Sequence, residues 1–112
     1  MVQEFIDSLR AFDKKRNWDG YDKEMTNEEK VQYLSHILVA MMGEIGEFAN
    51  EVKDCHRDKV WKEKELKEEL VDTFIFFLKL AMTLKMDLKE EFSKKMAENE
   101  KRFAHFISNK KL

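Results

Sequence analysis

The chain has 112 residues, a formal charge of −2, 43% apolar and 39% charged residues, three glycines and no proline. That length suits one domain, 1–112, with a small core that gains from a second subunit, and the scarcity of helix breakers favours long helices. The charge balance argues against a broad nucleic-acid surface, and a lone cysteine, Cys55, leaves no internal disulfide to form.

The first residues lack a basic segment followed by an apolar one, so no secretory leader is expected and a cytoplasmic protein is the simplest expectation. Periodicity predicts a first helix over roughly Val2 to Arg16, with Phe5, Leu9 and Phe12 facing inward. A polar stretch from Asn17 to Met25 follows, with a turn signal at Asp19-Gly20. Thr26 and Glu29 make a capping box. The second helix is predicted over about 27–54, on an apolar line of Leu34, Leu38, Met41, Ile45, Phe48 and Val52. Cys55 to Lys62 reads as a loop, capped by Trp61. The third helix, about 62–85, carries Leu66, Leu70, Phe74, Phe77, Ala81 and Leu84. Its greasiest part, Thr73 to Leu84, is too short to span a membrane and contains Lys79. Asp87 and Glu90 open a fourth helix through about Phe106, with Leu88, Phe92, Met96, Phe103 and Phe106 inward, and Lys110–Leu112 is expected to fray. The expected fold is all-α: a four-helix bundle around an antiparallel hairpin.

Two acidic pairs stand on the hairpin, Glu44-x-x-Glu47 and Glu69-x-x-Asp72. Residues three apart on a helix point the same way, one turn above each other. In an antiparallel hairpin, residues at one height have equal position sums. Glu44 with Asp72 and Glu47 with Glu69 share one sum, centred on residue 58 in the expected loop. All four carboxylates can therefore sit at one level, flanking the apolar stripe. Clustered there, they repel unless a cation neutralises them. Oxygen-only ligation suits Mg²⁺ or Mn²⁺, and His36, His56 and His105 share no ligand spacing for zinc. Mg²⁺ takes few protein carboxylates, so four of them hint at more than one ion and a polyphosphate to complete the shell. A solvated acidic face explains the same residues, and spacing alone leaves both readings open.

The run Gly43-Glu44-Ile45-Gly46-Glu47-Phe48-Ala49 with Glu68-Glu69-Leu70-Val71-Asp72 resembles the MazG-like all-α nucleotide pyrophosphohydrolases. The flanks resemble their dCTP pyrophosphatase branch: Phe12, Arg16 and Trp18 near the N-terminus, and Lys95-Met96, Asn99, Arg102 and Phe103 near the C-terminus. The resemblance implies hydrolysis of a (deoxy)nucleoside triphosphate to monophosphate and pyrophosphate, nucleotide-pool house-cleaning, and metal ligation by Glu44, Glu47, Glu69 and Asp72. The sequence departs from the pattern at Gly43, where many relatives carry glutamate, and at Asp54, where the dCTP branch carries tryptophan. The linker after Trp18 is also longer. These departures leave the base preference open.

Within that frame Glu47 is the candidate base. Lys95, Asn99 and Arg102 share a face of the fourth helix and are candidates for phosphate contact, as is Lys79, two turns past Asp72. Surface ion pairing of Lys95 with Glu91 and of Arg102 with Glu98 is their ordinary alternative. Trp18, Tyr21 and Phe76 are candidates for the base and sugar pocket, with core closure the alternative for Trp18. Gly43 and Gly46 leave room for a ligand or for close helix packing. Seven methionines and nine phenylalanines exceed what one small bundle buries, which predicts a homodimer or a dimer of dimers. Two rival functions share these features: a non-catalytic helical dimerisation module, and a phosphoribosyl-ATP pyrophosphatase-like enzyme.

Overall fold

The computed structural model describes residues 1–107, and the expected frayed tail lies outside them. Four α-helices follow in order among the described residues: α1 (Val2–Lys14), α2 (Asn27–Asp58), α3 (Glu63–Thr83) and α4 (Leu88–Arg102). Short 3-10 turns occupy Gly20–Asp22 and Ala104–Phe106, and no strand occurs among the described residues. Among the described residues no helix is long and apolar enough to cross a membrane. The all-α class and the central hairpin are as the periodicity predicts.

Local chemistry sets the helix ends. The Thr26 hydroxyl accepts the Glu29 N–H at 3.2 Å and the Glu29 carboxylate accepts the Thr26 N–H at 2.9 Å, so two donors at the start of α2 are satisfied reciprocally. At its far end α2 runs on to Asp58, one turn beyond the expected stop. The extra turn carries no breaker, and Arg57 pairs with Asp54 at 3.2 Å and Asp58 at 2.9 Å along its surface. Lys59 then turns left-handed (φ 53°) and donates its N–H to the Cys55 carbonyl. Only 59–62 separate the helices, so the hairpin is tight and its register well defined. Lys85 plays the same role after α3 (φ 56°), with Met86 N–H bonded to Ala81 O. Asp87 accepts the Glu90 N–H at 3.1 Å to start α4. That helix ends at Arg102, short of the expected Phe106.

The core gathers at one end of the hairpin. Ile6, Tyr21, Leu78 and Met82 are buried together, with Leu9, Tyr33 and Leu88 packed against them. The buried face of α1 is Ile6 and Asp13, turned by one residue from the expected Phe5 and Phe12, which stay half exposed. The displacement follows from a polar network at Asp13 described below. Gly20 lets the 3-10 turn press on α2: a Cβ there would lie 2.7 Å from Tyr33 Cε2.

The fourth helix does not close a bundle within one chain. None of its residues is buried. The radius of gyration is 18.0 Å, against about 13 Å for a compact domain of this length. The predicted α2 stripe is consequently covered on one side only, leaving Leu38, Ile45 and Val52 exposed, and on α3 Leu70, Phe74 and Phe77 are exposed too. An apolar groove of about 730 Å³ runs beside them, lined by Met41, Leu70, Val71, Phe74 and Phe77 among others.

Candidate metal centre

Glu44 and Glu47 project from α2 and Glu69 from α3, and one carboxylate oxygen of each lies within 4.8 Å of the other two. The i, i+3 spacing stacks the first two on one face, and the tight 59–62 turn sets the height at which Glu69 meets them. Asp72, one turn further along α3, is exposed and is not among these three. Its charge nevertheless reaches Glu44 and Glu69.

The cluster is electrostatically unfavourable as it stands. The Oε2 atoms of Glu44 and Glu69 are buried and have no hydrogen-bond partner. Burial pushes the Glu44 carboxyl above the ordinary carboxylate range, and the charges of Glu47 and Asp72 add to it. Glu69 is pushed up to about 7, first by burial, then by Glu47, Glu44 and Asp72. Nearby lysines do not relieve this: Lys62 faces Glu51 at 3.8 Å and Lys79 faces Asp13 at 3.5 Å. Orphaned carboxylate oxygens converging from two helices, with no nitrogen or sulfur donor among them, fit a hard divalent cation such as Mg²⁺ or Mn²⁺.

The family model described as dUTPase matches residues 3–111. The chain belongs to the dUTPase family. This is the all-α, MazG-like dUTPase fold family, whose members act on nucleoside triphosphates and typically depend on divalent metal ions. No curated protein and no solved structure gives a significant match. Membership in the dUTPase family and the acidic cluster of Glu44, Glu47 and Glu69 agree on what kind of chemistry the hairpin supports: hydrolysis of a nucleotide.

The remaining candidates fall in different places. Trp18 is exposed just after α1, its ring 6.2 Å from that of Phe12, on which the Arg16 guanidinium stacks at 3.6 Å. Phe76 is half-buried on α3, with the Lys79 ammonium 5.5 Å from its ring centre. Tyr21 does not line a pocket. The 3-10 turn carries it into the core, where it is fully buried and its hydroxyl donates to Asp13 at 2.7 Å. Lys79, expected at the phosphates, is paired with that same Asp13. On α4, Lys95 pairs with Glu98 at 3.6 Å, the Arg102 guanidinium lies 5.0 Å over Phe103, and Asn99 is half-buried. Among the described residues neither α4 cation pairs with an acid of α2 or α3. Gly43 and Gly46 are not close-packing sites within the chain, since a Cβ at either would meet nothing within 4 Å.

Two residues escaped the sequence reading. Glu51 stands one turn past Glu47 on the same face, and its Oε2 is also buried without a hydrogen bond; its i+4 spacing from Glu47 was the available signal. Asp13 is fully buried. It lies four residues after Leu9 and seven after Ile6, so it continues the apolar face of α1 with a charge, and that placement was the signal.

Proposed function

We propose that this dUTPase-family chain is a divalent-metal-dependent pyrophosphohydrolase that cleaves (deoxy)nucleoside triphosphates between the α- and β-phosphates, releasing a monophosphate and pyrophosphate. The observation that carries this reading is the convergence of the Glu44, Glu47 and Glu69 carboxylates within 4.8 Å, with buried oxygens of Glu44 and Glu69 that nothing among the described residues satisfies. Glu44, Glu47 and Glu69, with Asp72 one turn further along α3, would hold Mg²⁺ or Mn²⁺. When bound there, such a cation would supply charge neutralisation at the phosphate oxygens and would acidify a bound water.

The chain's own groups do the rest. Glu47 is the exposed member of the cluster and serves as the general base. The bond from water oxygen to the α-phosphorus forms, the bond to the bridging oxygen breaks, and the water proton passes to Glu47. Trp18 and Phe76 offer aromatic faces to the base. Lys95, Asn99 and Arg102 lie on one face of α4 and meet the β- and γ-phosphates once α4 is brought against a hairpin. Because α4 buries no residue in one chain, that closure calls for a second copy, and the apolar groove beside Leu70, Phe74 and Phe77 is a surface that copy would cover. A homodimer, or a homotetramer built from two, with the whole chain acting as one domain, is therefore part of the reading. So are a cytoplasmic setting and a role in cleansing the nucleotide pool. Similarity to the dCTP pyrophosphatase branch rests on Phe12, Arg16, Trp18, Lys95, Asn99, Arg102 and Phe103.

The test is a panel of (d)NTPs, each with Mg²⁺ or Mn²⁺, scored for pyrophosphate release. Pyrophosphate formed with metal and absent with chelator is the expected result. Silence on every nucleotide with both metals would leave a helical dimerisation module as the better account.

A further inference from the structure

The triad of Asp13, Tyr21 and Lys79 lies outside the steps described above, yet it sits next to the exposed ring of Trp18. Asp13 is fully buried near the end of α1. Its Oδ2 accepts the Tyr21 hydroxyl at 2.7 Å and faces the Lys79 ammonium at 3.5 Å, while its Oδ1 has no hydrogen-bond partner among the described residues. Lys79 is itself largely buried in that pair, so it acts as a packing element and not as a ligand contact. Exchanging such a buried charged triad for apolar groups of similar volume commonly leaves a fold as stable or more so. Stability is therefore a weak account of what the triad is for.

Asp13 also sets the backbone of Trp18. Asn17 turns left-handed (φ 58°); its N–H returns to the Lys14 carbonyl at 3.2 Å, and the Trp18 N–H returns to the Asp13 carbonyl at 2.9 Å. In a helix end closed by these two bonds, an apolar residue in the place of Trp18 ordinarily packs on an apolar side chain in the place of Asp13 or Phe12. Here position 13 offers a carboxylate already engaged elsewhere. The indole leans on Phe12 instead, with ring centres 6.2 Å apart, and stays 56% exposed. The Lys79 ammonium lies 6.0 Å from the Trp18 ring centre and 5.5 Å from that of Phe76. A charged head is attracted to both aromatic faces and keeps the two rings from collapsing on each other. Phe76 stands one turn past Asp72 on the same face of α3, so these rings belong to the side of the hairpin that carries the acids.

We propose that Asp13, acting through Tyr21 and Lys79, is a positioning residue that holds the Trp18 ring out of the core and open beside Phe76, where it stacks on a nucleobase. Asp13 touches no substrate atom. The role is blind to base identity, because every base has a face to stack. It rests on the nucleotide-hydrolase reading above.

The test exchanges the triad as a unit, Asp13→Leu with Tyr21→Phe and Lys79→Met, in a Trp61→Phe background that leaves Trp18 as the one tryptophan. Urea midpoint, Trp18 emission, and kcat and KM for the nucleotide turned over fastest by the unaltered protein are compared with the background. The triple variant should unfold no earlier than the background. Its Trp18 emission should move to shorter wavelength as the indole settles on the new apolar floor. KM should rise about tenfold, the scale of one base–ring stack, while kcat holds, which is the signature of lost uniform binding.

If the triple variant does not fold, Tyr21→Phe alone decides, with KM expected to rise several-fold at unchanged kcat. A folded triple variant with KM and emission unchanged would overturn the assignment and leave the triad a structural tie, as would an unchanged KM in Tyr21→Phe where that variant decides. Equal falls in kcat and kcat/KM would overturn it too. In each of these cases the unaltered protein still turns over its nucleotide. Absence of that turnover is the separate result that removes the hydrolase reading, and this role with it.

Discussion

Replacing Tyr21 by Phe removes one oxygen and almost no volume, so it isolates the bond that anchors the core end of the molecule. Tyr21 is fully buried, and its hydroxyl proton is held far more tightly than usual, chiefly by burial and then by the bond to Asp13. Loss of a hydrogen bond to a charged acceptor costs about 1.5–3 kcal/mol. The structure places this case in the upper part of that range. Once the hydroxyl is gone, the buried Asp13 carboxylate keeps only the ammonium of Lys79 at 3.5 Å, and Oδ1 has no partner to begin with. A loss of roughly 2–3 kcal/mol follows, with a fall in Tm on the order of 10 °C for a chain of this size. In urea unfolding followed by circular dichroism, the midpoint should drop while the slope holds, because the area exposed on unfolding is unchanged. Adding Asp13→Asn to Tyr21→Phe should cost more again, since it leaves the largely buried Lys79 ammonium without its carboxylate. An unfolding free energy within about 0.5 kcal/mol of the unaltered protein would refute this reasoning and show that Asp13 is satisfied by water instead.

Three further outcomes follow from the acidic cluster and the uncovered faces. Without metal, stability should decline as pH rises from about 4.5, the ordinary glutamate value, through about 7, where Glu69 titrates in the fold; a carboxyl whose folded value is raised is favourable when protonated and unfavourable when ionised. Urea midpoints in chelator at several pH values check this, and Glu69→Gln should flatten the trend. Glu47→Gln should lower kcat by about 10²-fold or more while the helical spectrum stays unchanged, and a variant with full kcat would remove Glu47 as the base. Ile45→Glu, placed on the exposed line of α2, should shift sedimentation from dimer to monomer; sedimentation of the unaltered chain as a monomer would contradict the second copy.

The order of elements was legible because the relevant signals are local. Thr26 with Glu29 and Asp87 with Glu90 mark the starts of α2 and α4, and the structure carries both caps. The convergence of Glu44, Glu47 and Glu69 was also legible, since the hairpin register follows from equal position sums once the loop is roughly placed. The end of α2 was not: Cys55, His56, Arg57 and Asp58, without proline or glycine, continue a helix as readily as they leave it, and only the left-handed Lys59 stops it. Tyr21 was misplaced because an aromatic beside a turn reads the same whether it faces solvent or core. What decides its direction is Asp13, eight residues earlier, and a lone aspartate on an apolar face is legible only if charge on that face is taken as a signal. Coverage of the α2 stripe was missed for a different reason. Periodicity says which face avoids water, not whether the same chain supplies the cover.

The account depends on the hairpin holding a divalent cation, and calorimetric titration of Mn²⁺ into the metal-free protein tests that most directly. Saturable binding is the predicted result, lost or strongly weakened in Glu44→Gln and in Glu69→Gln, both still fully helical. Heats indistinguishable from dilution in the unaltered protein, or binding that survives both substitutions, would contradict it.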